Sequence, residues 1–240
     1  MKKILLSTAI ITGLSFTGFT QKITFAVSAG ISYANVFIKA DTTAVIGLGE
    51  NAFIKTDSNE VKGLGPKNRF TGGISANIPI SKYFSFQPAI NFLQKGAKFM
   101  AASDFTKEPT STVNLTLNYI EVPLNLMFNT HNKATNKKAD DFFFGIGPSF
   151  AFATSGKMEE KNSRDSVSTE KIKFGSGDNY DIKPIDIGAN IMMGCLFFNN
   201  LFLSVNYTIG FSNLSNNKDI RWRNNYLGFK LGYSFGSKNK

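Results

Sequence analysis

Residues 197–211 read FFNNLFLSVNYTIGF. On an extended chain Leu201, Leu203, Val205, Tyr207, Ile209 and Phe211 fall on one face. Phe202, Ser204, Asn206, Thr208 and Gly210 fall on the other. Strict alternation marks a β-strand with two chemically different faces. In a water-soluble sheet the polar face meets bulk water and usually carries Lys, Glu and Thr. Here, Phe202 apart, it carries small uncharged residues, which suit a crowded wet interior. The opposite face suits lipid. The rest of the chain decides between a soluble barrel with an apolar core and its inside-out counterpart.

Seven further stretches repeat the pattern. Residues 23–40 oppose Phe25, Val27, Ala29, Ile31 and Tyr33 to Ala26, Ser28, Gly30, Ser32 and Ala34. Residues 69–80 carry Phe70, Ile74, Ile78 and Ile80 on one face. Residues 83–99 put Phe84, Phe86, Ile90 and Phe92 opposite Gln87, Asn91 and Lys95. In 112–129 the apolar set runs Val113, Leu115, Leu117, Tyr119, then shifts to Ile120, Val122, Leu124, Leu126 and Phe128. That shift predicts a bulge near Tyr119–Ile120, with Glu121, Pro123 and Asn125 inside. Residues 141–154 oppose five apolar residues from Phe142 to Phe152 to Gly145, Gly147, Ser149 and Ala151. Residues 182–198 oppose Ile185, Ile187, Ala189, Ile191 and Met193 to Asp186, Gly188, Asn190 and Met192. In 224–236, Leu227, Phe229, Leu231, Tyr233 and Phe235 oppose Gly228, Lys230, Gly232 and Ser234.

The connections alternate in length. Long polar segments near 41–68, 101–111, 155–181 and 212–222 lie between the tight turns Ser81–Lys82 and Asn199–Asn200 and the short basic segment 130–140. Eight strands with long loops at one end and turns at the other fit an outer-membrane barrel. Closure satisfies every strand edge, as lipid demands. The expected fold class is all-β, an eight-stranded antiparallel up-and-down transmembrane β-barrel with short periplasmic turns and longer extracellular loops. The 24 phenylalanines fall mainly on the proposed lipid face, as this reading requires.

The chain begins MKKILLSTAIITGLSFTGFTQK. Lys2 and Lys3 precede an apolar stretch from Ile4 to Phe16, and small residues follow at Thr17, Gly18 and Thr20. This reads as a signal peptide over 1–20, cleaved at Thr20–Gln21, ahead of a barrel domain over 21–240. The stretch is short and polar-interrupted for an anchor helix. Cys195 is the single cysteine, so no intramolecular disulfide forms. The formal charge of +10 comes from scattered residues such as Lys55, Lys62, Arg69, Lys137 and Arg223. Export argues against nucleic acid as their partner; solubilising loops and a basic tail are the favoured reading, and attraction to anionic lipid headgroups is the functional alternative. The alternating end Tyr233–Ser234–Phe235 suits recognition by the outer-membrane insertion machinery.

No catalytic, cofactor or metal constellation is present in the sequence. The one histidine, His131, lies in a polar turn; Ser81 and Asp141 fall at the same end by topology, and the bland reading is a solvated His. The inward charges are the more informative set: Glu121, Lys230, Lys95 and Asp186. A charge inside is costly unless paired. Pairing of Glu121 with Lys230 or with Lys95 is the expectation. A plug of paired charges is favoured over an ion path, because side chains nearly fill an eight-stranded interior.

Four motifs carry a family resemblance. They are Tyr83–Pro88 (YFSFQP) with Gln94–Ala97 (QKGA), Asn118–Leu124 (NYIEVPL), Phe143–Pro148 (FFGIGP) and Asn206–Asn213 (NYTIGFSN). In this order they resemble the small outer-membrane β-barrel family often called the porin family, which includes PorT-type proteins. The chain departs from that pattern at Ala89–Ile90, where the family carries Glu-Leu; one candidate inward acid is thereby missing. The resemblance implies outer-membrane location and an eight-stranded barrel without a defined chemistry. PorT-type members are associated with a protein secretion and gliding apparatus. The expected role is a monomeric structural or interaction scaffold in the envelope, its loops meeting envelope or secretion-apparatus proteins. A narrow channel for ions or small solutes, and a PorT-like secretion component, are the alternatives.

Overall fold

The computed structural model describes residues 23–40, 44–47, 53–56, 61–62, 67–102, 109–130, 141–162, 166–177, 179–197 and 200–235. The expected signal peptide and His131 lie outside these residues. Eight long strands form the barrel: β1 Thr24–Ala40, β2 Lys67–Pro79, β3 Phe84–Lys95, β4 Pro109–Asn129, β5 Asp141–Asn162, β6 Ile185–Leu196, β7 Leu201–Gly210 and β8 Ile220–Phe235. Each pairs antiparallel with its neighbours in sequence. β8 closes on β1 from Phe25–Phe235 to Ala40–Ile220. The result is the up-and-down barrel that the alternation and loop lengths predict.

The turns follow from local chemistry. Between β2 and β3, the Ile80 and Ser81 amides donate to the Phe84 carbonyl, and Ser81 Oγ accepts from the Phe84 amide at 3.1 Å. Between β6 and β7, Asn200 takes φ 66°, a left-handed conformation that Asn tolerates better than most side chains. The Phe197 amide donates to the Leu201 carbonyl at 2.7 Å and closes this turn. Aromatic pairs gather near the turn end: Tyr83 and Phe84 against Phe128, and Tyr233 against Phe235. Such belts suit the boundary between apolar and aqueous layers.

Along much of each strand the outer face is apolar. Phe25, Ile74, Phe142, Met193 and Leu231 are all more than half exposed, as lipid-facing side chains are in the absence of lipid. Cys195 faces out among them, between Leu203 and Phe142 of the adjoining strands. Toward the loop end the outer face changes to Lys39, Lys157, Lys161, Arg221 and Arg223. There the inner face becomes apolar. Val36, Ile38, Val113, Leu115, Leu117, Tyr119, Met158 and Trp222 form one buried cluster. Ile172, Ile182 and Leu214 reach into it from the two connecting segments that fold over the mouth. Above the lipid, water surrounds the wall, so the hydrophobic effect drives apolar side chains inward again.

This corrects one expectation. The shift of apolar phase at Tyr119–Ile120 is no reversal of the backbone in β4: Val113, Leu115, Leu117, Tyr119, Glu121, Pro123, Asn125 and Met127 all point inward. What changes is the chemistry of the interior. The bulge itself sits on the partner strand. Tyr119 pairs with Ala153 and Asn118 with Ser155, which leaves Thr154 as an extra residue in β5.

Two elements are longer than the alternation predicts. β5 continues to Asn162 and forms a hairpin with Val167–Lys171, inside what reads as loop 155–181. β8 starts at Ile220, so Trp222 is a wall residue with a buried side chain. We expect Ile74→Arg, about half-way along β2 on the lipid face, to cost about 2–4 kcal/mol of folding stability in phospholipid vesicles. Denaturant titration of the refolded protein measures it; a cost near zero would mean that this face does not meet hydrocarbon.

Candidate functional site

The interior of the barrel is the only concentrated chemistry among the described residues, and it has four tiers. At the turn end a cavity of about 290 Å³, lined by both polar and apolar side chains, opens among Ser81, Lys82 and Asn200. Its walls include Ser28, Ser75, Gln87, Asn91, Asn125, Ser204 and Asn206. Ser85 Oγ donates to Asn77 Oδ1 at 2.6 Å and accepts from Asn129 Nδ2 at 3.1 Å. Phe202, the exception on its strand's polar face, turns inward and meets Phe143 edge-on at 6.2 Å. Gly232 provides the room: a Cβ there would collide with the Phe202 ring.

Deeper, amides and hydroxyls bridge the lumen. Asn190 Nδ2 donates to Asn125 Oδ1, and Thr208 Oγ1 donates to Asn190 Oδ1, both at 3.0 Å. This chain joins β4, β6 and β7. Beyond it lies a belt of charge.

The buried charged side chains of the described residues are Lys95, Glu121, Asp186 and Lys230. Lys95 Nζ crosses from β3 to Asp186 Oδ2 of β6 at 2.9 Å. It also lies 5.0 Å from the ring centre of Tyr119 and 5.6 Å from that of Tyr226, within range of cation–π attraction. Asp186 accepts two more bonds, from Asn224 Nδ2 at 3.2 Å and Ser212 Oγ at 3.1 Å. Trp222 Nε1 donates to Asn224 Oδ1 at 3.2 Å and ties the belt to the apolar tier. Glu121 accepts from Ser149 Oγ and from the Tyr226 hydroxyl, each at 2.7 Å and each on a different oxygen.

The pairing differs from the expected one. Lys95 finds Asp186 across the lumen, and Glu121 is satisfied by neutral donors. The physical reason is saturation: both Glu121 oxygens are occupied, while Asp186 offers a carboxylate beside the two tyrosine rings that flank Lys95. Lys230 forms no ion pair with Glu121 within 4 Å; Glu121 is held instead by Ser149 and Tyr226. Its side chain lines the turn-end cavity. Opposite it stand Gly30 on β1 and Ser204 on β7.

Sequence reading missed the neutral members of the belt. Extending the β8 alternation three steps toward the N-terminus would have placed Tyr226, Asn224 and Trp222 inside with Lys230. Tyr119 was hidden by the apolar shift in β4. Ala89, where the family pattern carries an acid, lines the turn-end cavity.

Breaking a buried pair by removing one partner costs about 3–5 kcal/mol, whereas replacing both with apolar groups is often neutral. We therefore expect Lys95→Met and Asp186→Leu each to destabilise the detergent-solubilised barrel by about 3–5 kcal/mol, and the double variant to recover most of that loss. Guanidinium unfolding of the four proteins measures it; additive losses would show that the two charges do not depend on each other.

Residues 18–216 match a family model described as outer membrane protein beta-barrel domain. Among solved structures the chain is similar to Ail, the attachment invasion locus protein of Yersinia pestis, solved in complex with the heparin analogue sucrose octasulfate. That match has 13% identity, covers 90% of this chain and 100% of the other, and has a TM-score of 0.38. Neisserial surface protein A matches at 14% identity over 90% and 100% of the two chains, with a TM-score of 0.43. OprG of Pseudomonas aeruginosa matches at 10% identity over 89% and 96%, with a TM-score of 0.41. No curated protein matches. The family match runs from before β1 to beyond β7, most of the barrel just described, and on that extent the chain belongs to the outer-membrane protein β-barrel family.

Proposed function

We propose that the protein is a monomeric scaffold of the outer membrane that neither conducts solutes through its lumen nor catalyses a reaction. The observation that carries this reading is the filling of the lumen's loop end. Trp222, Tyr119, Leu115, Leu117 and Ile38 occupy it, and Ile172 and Ile182 cap them from the segment between β5 and β6. An ion entering from the turn end meets the Lys95–Asp186 pair and then an apolar core, an arrangement that opposes the passage of a charge. What reaches outward is the rigid extension of β4, β5 and the hairpin Val167–Lys171, which suits a contact platform. Its partners on this reading are membrane lipid, the insertion machinery during biogenesis and other envelope proteins.

A PorT-like role in a secretion apparatus is the finer alternative, and it rests on the motif resemblance. Two of those motifs adjoin in the barrel wall. Pro123 pairs with Ser149, and Ser149 bonds Glu121. Gly147 leaves space for the Leu124 carbonyl, which a Cβ would strike. These residues build the interior, so they speak for a shared barrel more than for a shared partner. Co-purification with envelope proteins and a secretion defect on deletion are what the PorT-like role requires.

Planar bilayers separate scaffold from channel. We expect no stepwise conductance from the refolded full-length mature protein, and none from Glu121→Gln. Resolved steps that Glu121→Gln alters would establish the channel and remove the scaffold reading.

A further inference from the structure

The turn-end cavity holds a cation without a partner. Lys230 is 5% exposed, and none of the hydrogen bonds or ion pairs among the described residues engages its ammonium. The ammonium is not one of the fully buried atoms left without a partner, so it reaches the cavity space, where its three donors take acceptors. The side chain lines the cavity, so whatever fills the cavity must answer it. Among the described residues, the charged ones in the cavity wall are Lys230 deep inside and Lys82 at the mouth. Both are positive, and none of the described wall residues is an acid.

We propose that this cavity binds a small monocarboxylate bearing hydroxyl or amide groups, with its carboxylate on the Lys230 ammonium. One negative charge matches the local field. Glu121 is bonded to Tyr226, four residues from Lys230 on the same inner face of β8, and its carboxylate offsets part of the Lys230 charge, so a dianion would be over-charged for the site. Both Glu121 oxygens are engaged by Ser149 and Tyr226, so Glu121 stays in the wall and leaves the ammonium open to a ligand. The remaining wall suits the body of such a solute. Asn91, Asn206, Gln87 and Ser204 each donate and accept, and so match hydroxyls and amides in either orientation. A volume of about 290 Å³ lies at the small end of ligand pockets. Lys82, exposed in the turn between β2 and β3, draws anions toward the mouth. This turn end faces the periplasm in outer-membrane barrels, so the solute would come from that side. The inference goes beyond the scaffold role and does not depend on it.

The test uses the full-length mature protein refolded in detergent micelles, with glycerate as the probe, glycerol as its neutral counterpart and inorganic phosphate as the dianion-forming competitor. Side-chain amide resonances of Asn91 and Asn206 report binding by NMR. We expect saturable shifts with glycerate, and affinity at least about tenfold weaker for glycerol and for phosphate. Lys230→Met should weaken glycerate binding by about tenfold or more. Because Lys230→Met leaves Glu121 without its balancing charge, Ala89→Glu provides a second variant. Ala89 lines the cavity outside the hydrogen-bonded belt, and a resident carboxylate there excludes a second one by pairing or by repulsion. It should abolish the shifts in a barrel that remains folded. No saturable response to glycerate, equal binding of glycerol or tighter binding of phosphate would overturn the proposal, as would unchanged binding in either variant.

Discussion

A strand edge left open in hydrocarbon exposes amides and carbonyls that nothing else can satisfy. The seam between β1 and β8 removes that edge, and the rest of the molecule depends on it. It runs the full length of both strands, from Phe25–Phe235 at the turn end to Ala40–Ile220 among the loops. Once eight strands close, the interior is narrow, and each residue has one of two fates. Side chains pointing out must tolerate lipid; those pointing in must fit a crowded space and find polar partners there. Small residues at Gly30, Gly147, Gly232 and Ser204 are consequences of closure, as much as the exposed Phe, Ile and Leu on the outside.

The wall carries two solvents in succession, and its chemistry inverts where they change. In the lipid zone β4 presents Ile120, Val122 and Leu124 outward and Glu121 and Asn125 inward. Toward the loops the same strand, with the same alternation of direction, presents Asn114 and Asn118 outward and Leu115 and Leu117 inward. The charge belt sits at this change. Lys95, Asp186, Asn224 and Trp222 link polar lumen to apolar core through an unbroken run of hydrogen bonds. Pairing across the lumen, from β3 to β6 and from β4 to β8, braces the barrel against ovalisation.

Much of this was legible in residues alone. Strict alternation named the strands, loop lengths named the meander, and inward parity named the four charged residues of the belt. Three things were hidden. The Leu-to-polar switch in β4 looks identical to a bulge in a one-dimensional pattern, because alternation records which residues share a face and says nothing about what that face meets. Trp222 was masked by Arg221 and Arg223, which resemble a loop until the wall is seen to continue beyond the lipid. The partners within the belt depend on which residues meet across the lumen, and strand tilt and stagger set that. Lys95 and Asp186 are 91 positions apart, beyond the reach of spacing.

The orientation of the two faces is the claim on which everything else stands, and paired spin labels at adjacent positions of β7 test it directly. With Cys195 replaced by Ser, single nitroxides at Leu203 and at Ser204 in the refolded barrel in phospholipid vesicles would be probed with oxygen, which concentrates in hydrocarbon, and with a water-soluble nickel chelate. A label at 203 should show high collision with oxygen and little with nickel, and a label at 204 should be shielded from oxygen. If position 204 proved the oxygen-accessible one, or if position 203 were shielded from both, the apolar face would be a core and the barrel would not be inside-out.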